Sequence, residues 1–136
     1  MNLKKISNKL SRFEKWMFLN AVEILVYDAM REDLSYTERN QLIEKHGRVL
    51  MRTLDNFAID GVLSEKEANF LVDRPNAIRF HNYIIATDNY FGNIYKNRAK
   101  ENKNKPIRMT ECFDVSEELV AFAKEDLSEE MISLRV

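Results

Sequence analysis

Asn56 to Glu67 reads N-F-A-I-D-G-V-L-S-E-K-E, and the fold turns on how this stretch is parsed. Asp60-Gly61 is a turn pair, because glycine enters the positive-φ backbone that ends a helix without steric penalty. Ser64-x-x-Glu67 is a capping box. Its serine oxygen accepts from an orphan amide of a new helix while the glutamate reaches back to the serine N–H. One helix stops here and another starts, so the stretch is a corner between helices.

The same start signal recurs upstream. Ser11-x-x-Glu14 opens a helix running to about Arg31, and Ser35-x-x-Glu38 opens the one that ends at the corner. In the first, Phe13, Trp16, Met17, Ala21, Ile24 and Leu25 recur at three and four, and Phe18, Leu19, Val22 and Val26 widen the stripe. That helix is expected to be covered on most sides and to form the core, or to leave one face open to a dimer mate or partner. In the second, Ile43, Leu50, Leu54 and Phe57 share a face. Gly47 falls on the buried side, a position that suits the close crossing of another backbone.

Beyond the corner, a short helix from Ser64 to about Val72 ends at Asp73-Arg74-Pro75. A third long helix is expected from about Asn76 to Lys100, with Ala77, Phe80, Ile84, Phe91 and Ile94 inward and Gly92 interrupting it without ending it. Glu101 to Pro106 reads as a surface loop. Ser116 or Asp114 caps a last helix bearing Leu119, Phe122, Ala123 and Leu127. Alternation in 107–113 and 132–136 allows a minor β pairing near the C-terminus. Residues 1–10 read as a flexible basic arm or a short leading turn. The expectation is an all-α, single-domain bundle of four main helices plus the short one.

Bulk properties agree. A chain of 136 residues fits one core, and 45% hydrophobic and 32% charged residues with three Gly and two Pro describe a soluble, helix-rich protein. Net charge is −1, so attraction to nucleic acid or lipid has to be local. The lone Cys112 forms no internal disulfide, and the N-terminus lacks an export signal, which makes the cytoplasm the expected setting. The apolar run Trp16 to Met30 is too short for a bilayer and is broken by Asn20, Glu23 and Asp28.

Candidate chemistry is sparse. His46 and His81 have no partner at metal-ligand spacing; Glu44 and His46 are two apart and diverge. Neither a phosphate loop nor a nucleophile elbow is present, so neither enzymatic activity nor a cofactor is expected. With Gly61 in the sixth place, Asn56, Asp60, Ser64 and Glu67 fall on ligand places of a calcium loop, and Asp60, Gly61, Leu63 and Glu67 resemble the EF-hand family. Ala58 departs from that pattern and removes one oxygen. D-G-V-L-S-E-K-E also resembles the helix-connecting turn of TerB-type domains, which implies a metal-responsive helical module as a third functional reading. Turn and cap chemistry accounts for the same residues.

Two charged stretches remain. Lys96, Arg98, Lys100, Lys103, Lys105 and Arg108, with Tyr95 beside them, have the composition of a phosphate-binding and base-stacking segment; cations at a helix C-terminus are the structural counterpart. From Met109 to Val136 there are eight acids and two bases. The leading functional expectation is a non-enzymatic interaction or regulatory protein, such as a phage accessory protein or an inhibitor of a host factor. Its partner protein would meet Trp16 and the acids Glu117, Glu118, Glu125, Glu129 and Glu130, and a homodimer is the self-association variant. The alternative is a nucleic-acid-associated protein using 96–108, helped by the basic segment Lys4 to Lys15.

Overall fold

A computed structural model describes residues 1–30 and 33–101, with backbone only at 27–30, 98, 99 and 101. Among the described residues there are six helices and no strand: α1 (Leu3–Lys9), α2 (Arg12–Met30), α3 (Tyr36–Ile59), α4 (Glu65–Val72), α5 (Arg74–Thr87) and α6 (Asn89–Glu101). The fold is all-α. The expected last helix, the β pairing and the Glu101–Pro106 loop past its first residue lie outside the described residues. No helix among the described residues is long and apolar enough to cross a membrane.

All three capping boxes form. Ser11, Ser35 and Ser64 accept from the amides of Glu14, Glu38 and Glu67 at 3.2, 3.1 and 3.1 Å, and each glutamate accepts from its serine N–H at 2.7, 3.3 and 2.8 Å. The corner is a Schellman stop set directly before a boxed start. Gly61 takes φ +74°, Val62 N–H bonds Phe57 C=O at 2.9 Å, and Gly61 N–H bonds Ala58 C=O at 3.1 Å. The last carbonyls of α3 are thus satisfied while Leu63, 3% exposed, drops into the core.

α2 is the central element. Every residue from Trp16 to Leu25 is buried, as an all-round apolar pattern requires. α3 packs along it, α4 packs on α3, and α5 returns against α2 and α4. Phe18 of α2 meets Phe80 of α5 with ring centroids 5.1 Å apart and planes tilted by 59°, a favoured aromatic geometry.

Three sequence expectations change. Residues 1–10 are not a flexible arm: Asn2 caps α1 through the Lys5 amide at 3.1 Å, and Ile6 and Leu10 are 0% and 6% exposed. Leu3, Ile6 and Leu10 already carry helical spacing, and burial of that short stripe decides the matter. The helix expected over 76–100 is two helices. α5 begins earlier, at Arg74, because proline in a first turn lacks only an amide that has no partner there. It ends at Asp88, whose backbone is extended (φ −89°, ψ 115°) and whose carboxylate accepts from the Tyr90 and Phe91 amides at 2.9 and 3.2 Å. Asp88 is therefore the N-cap of α6. Finally, the close crossing expected at Gly47 is not found among the described residues, where no heavy atom beyond the local turns of its own helix lies within 4 Å of a Cβ placed there. It occurs at Gly92, where a Cβ would lie 2.7 Å from the Ile85 carbonyl oxygen. A bare Cα here lets α6 fold back on α5.

Candidate functional site

Among the described residues, long-range polar clasps tie the helices together. At the corner, Glu67 Oε1 accepts from Lys9 Nζ at 2.7 Å as well as from Ser64 N–H, so the capping box of α4 also anchors α1. Burial pushes the Glu67 carboxyl up, but the Lys9 ammonium and the Ser64 hydrogen bonds outweigh it and hold the group below its ordinary value. At the start of α6, Asp88 Oδ2 accepts from Lys15 Nζ at 3.0 Å. Burial raises the Asp88 pKa, while Lys15 and the Phe91 and Tyr90 amides lower it further than burial lifts it. In the interior, the carboxylate of Glu23, 3% exposed, accepts from His81 Nε2 at 2.9 Å.

The sequence-read metal residues meet at the corner. Asn56 C=O receives the Asp60 amide at 2.9 Å, Asp60 ends α3 with an exposed side chain, and Ser64 and Glu67 cap each other. Among the described residues no group of three His, Cys, Asp or Glu side chains is arranged to hold a metal ion. His46 is a buried α3 residue, 1% exposed, and Cys112 lies outside the described residues.

Trp16, read from the sequence as a partner-facing residue, is buried in the bundle. It is 7% exposed and stacks on Phe13 with centroids 5.8 Å apart. Its spacing on a helix that is apolar all round places it in the core. Glu117, Glu118, Glu125, Glu129 and Glu130 lie outside the described residues.

Two open helix faces emerge instead. On α3, successive residues turn by about 100°, which sets Glu44, Arg48, Met51, Arg52, Asp55 and Ile59 within about a 100° arc. All six are exposed, Met51 at 46% and Ile59 at 79%, and Arg48 pairs with Glu44 at 3.3 Å. This mixed apolar and charged flank lies away from the α2 seam. It was readable as helical arithmetic, but exposure of Met51 and Ile59 depends on where α2 and α4 dock.

On α6, Phe91 faces the core and is 0% exposed. Tyr90, Asn93, Lys96, Asn97 and Lys100 fall within about a 120° arc on the outward side; all are exposed, Tyr90 at 40%. Tyr95, 41% exposed, flanks the inner stripe. The Arg98 side chain and Lys103, Lys105 and Arg108 are not among the described features. The Arg12 guanidinium, from the start of α2, lies 3.9 Å from the Tyr90 ring centroid, a cation–π contact. Arg12 and α6 are too far apart in the chain for local periodicity to pair them.

Comparison of the chain with protein-family models, with curated proteins and with solved structures returns no match.

Proposed function

We propose that this chain is a non-enzymatic interaction protein that binds another protein through the outward flank of α3. One observation carries the reading. Met51 and Ile59 stand 46% and 79% exposed on one flank, ringed by Glu44, Arg48, Arg52 and Asp55. Large apolar side chains framed by charges match the anatomy of a protein interface, with apolar anchors inside and a polar rim. The bundle is built to hold such a flank rigid: α3 starts on a capping box and stops on a Schellman turn, so both ends are pinned.

The test is capture from the native cell with the full chain and with a Met51→Glu, Ile59→Glu double variant, matched for helicity by circular dichroism. Exposed positions away from core contacts change stability by only about 0.5 kcal/mol, so the double variant stays folded. A partner held by the parent chain and lost from the variant supports the reading. A partner retained equally by both removes α3 from the interface. Sedimentation of the pure chain separates a second copy of the chain from a foreign protein as the occupant.

A further inference from the structure

We propose a second binding surface: the outward face of α6, joined by Arg12 from α2, takes single-stranded nucleic acid. Five α6 side chains on that face are an aromatic ring (Tyr90), two amides (Asn93, Asn97) and two ammonium groups one turn apart (Lys96, Lys100), all exposed. Single strands are held by this combination, in which cations follow the phosphates and aromatic faces or edges carry the bases. The only acid within α6 is Glu101, its last residue.

The tertiary structure adds what α6 lacks alone. Arg12 lies over the Tyr90 ring at 3.9 Å and remains exposed. A guanidinium held over a ring by cation–π attraction keeps its N–H donors, and those of the exposed Arg12 are available to phosphate. The neighbouring anion is already matched, because Asp88 is paired with Lys15 at 3.0 Å. Among the described side chains of this face the charged ones are Arg12, Lys96 and Lys100. Lys103, Lys105 and Arg108 follow in the sequence. Overall charge is −1, so the attraction is confined to this side of the molecule and nothing in the net charge extends it to polyanions at large.

Two other occupants are distinguishable: duplex nucleic acid, for which phosphate contact alone suffices, and the chain's own acidic residues between Met109 and Val136. The experiment is fluorescence anisotropy of the full chain with a labelled oligothymidylate of about 16 nucleotides, the upper end of the span one small single-strand module covers. It is run at about 0.05 and about 0.2 M salt, with a duplex of equal length in parallel. Binding that weakens steeply between the two salts is expected. Lys96→Gln with Lys100→Gln should lower the salt slope by about 1.4, from about 0.7 per phosphate on a single strand. Tyr90→Leu should weaken binding about tenfold with the slope unchanged, as loss of one stacked base does. The two lysines are exposed, so their variant remains informative even if Tyr90→Leu disturbs the fold.

Absence of binding at the lower salt overturns the proposal. So does duplex binding of equal strength that ignores Tyr90→Leu. Binding that appears only after Glu117, Glu118, Glu125, Glu129 and Glu130 are changed to Gln also overturns it, and makes the acidic segment the occupant.

Discussion

The three glycines offer one experiment in which the same substitution has three outcomes. A Cβ at Gly92 would sit 2.7 Å from the Ile85 carbonyl oxygen. Ordinary carbon-to-oxygen contact is about 3.3 Å, so Gly92→Ala forces α6 and α5 apart by about 0.6 Å. The obstacle is backbone, and Phe91 beside it is 0% exposed, so no flexible side chain absorbs the shift. Overpacking of this kind costs about 1–3 kcal/mol, against about 1 kcal/mol of helix propensity gained. The net expectation is destabilisation of about 1 kcal/mol.

Among the described residues a Cβ at Gly47 meets nothing within 4 Å beyond its own helix, leaving only the propensity gain, so Gly47→Ala should stabilise by up to about 1 kcal/mol. Gly61 holds φ +74°, and alanine there should cost about 1–2 kcal/mol by entering the left-handed region. Chemical denaturation of the three variants reads these values directly. In a thermal melt, Gly47→Ala and Gly92→Ala should separate by about 6–8 °C, taking about 3–4 °C per kcal/mol for a chain of this size. If Gly92→Ala raises stability as much as Gly47→Ala, the account of the α5–α6 contact is wrong.

The acid limb of stability should report the two clasped carboxylates. Glu67 and Asp88 are held below their ordinary values of 4.5 and 3.8, so their stabilisation is complete above those values and is lost as pH falls through the folded-state ones. The stability gap between the parent chain and Glu67→Gln or Asp88→Asn should therefore narrow on acidification from pH about 6 to about 3; a constant gap argues against both clasps. For the interior pair, His81→Ala withdraws a donor from the buried Glu23 carboxylate and should cost about 2 kcal/mol, as does loss of a hydrogen bond to a buried charged group. A double-mutant cycle with Glu23→Gln checks it, and near-zero coupling would show that the 2.9 Å contact contributes nothing.

What could be read without coordinates was the chemistry confined to a few neighbouring residues. Ser11, Ser35 and Ser64 act on amides three residues away, and Gly61 stops α3 through bonds that close within one turn. Such signals are complete in the local sequence, and so was the all-round apolar character of α2. The break at Asp88 was less legible. Its N-cap chemistry is local, but an aspartate within a run of helical spacing also reads as a solvent-facing residue. The bare Gly92 shows its purpose only when Ile85 lies against it.

Only the tertiary structure decided which distant groups meet. Lys9 with Glu67, Lys15 with Asp88, Glu23 with His81 and Arg12 with Tyr90 join residues on different helices, and no periodicity specifies such pairs. It also settled what each face confronts. Trp16 and Ile59 are both large apolar helix residues, yet one is 7% and the other 79% exposed. The physical reason is that a helix's own pattern ranks its faces, whereas burial is conferred by the neighbour that arrives. By itself the sequence determined where helices begin and end at their boxes and corner; the packing of α2 against α3 and α5, and the return of α6 on α5, determined which of the described residues remain exposed.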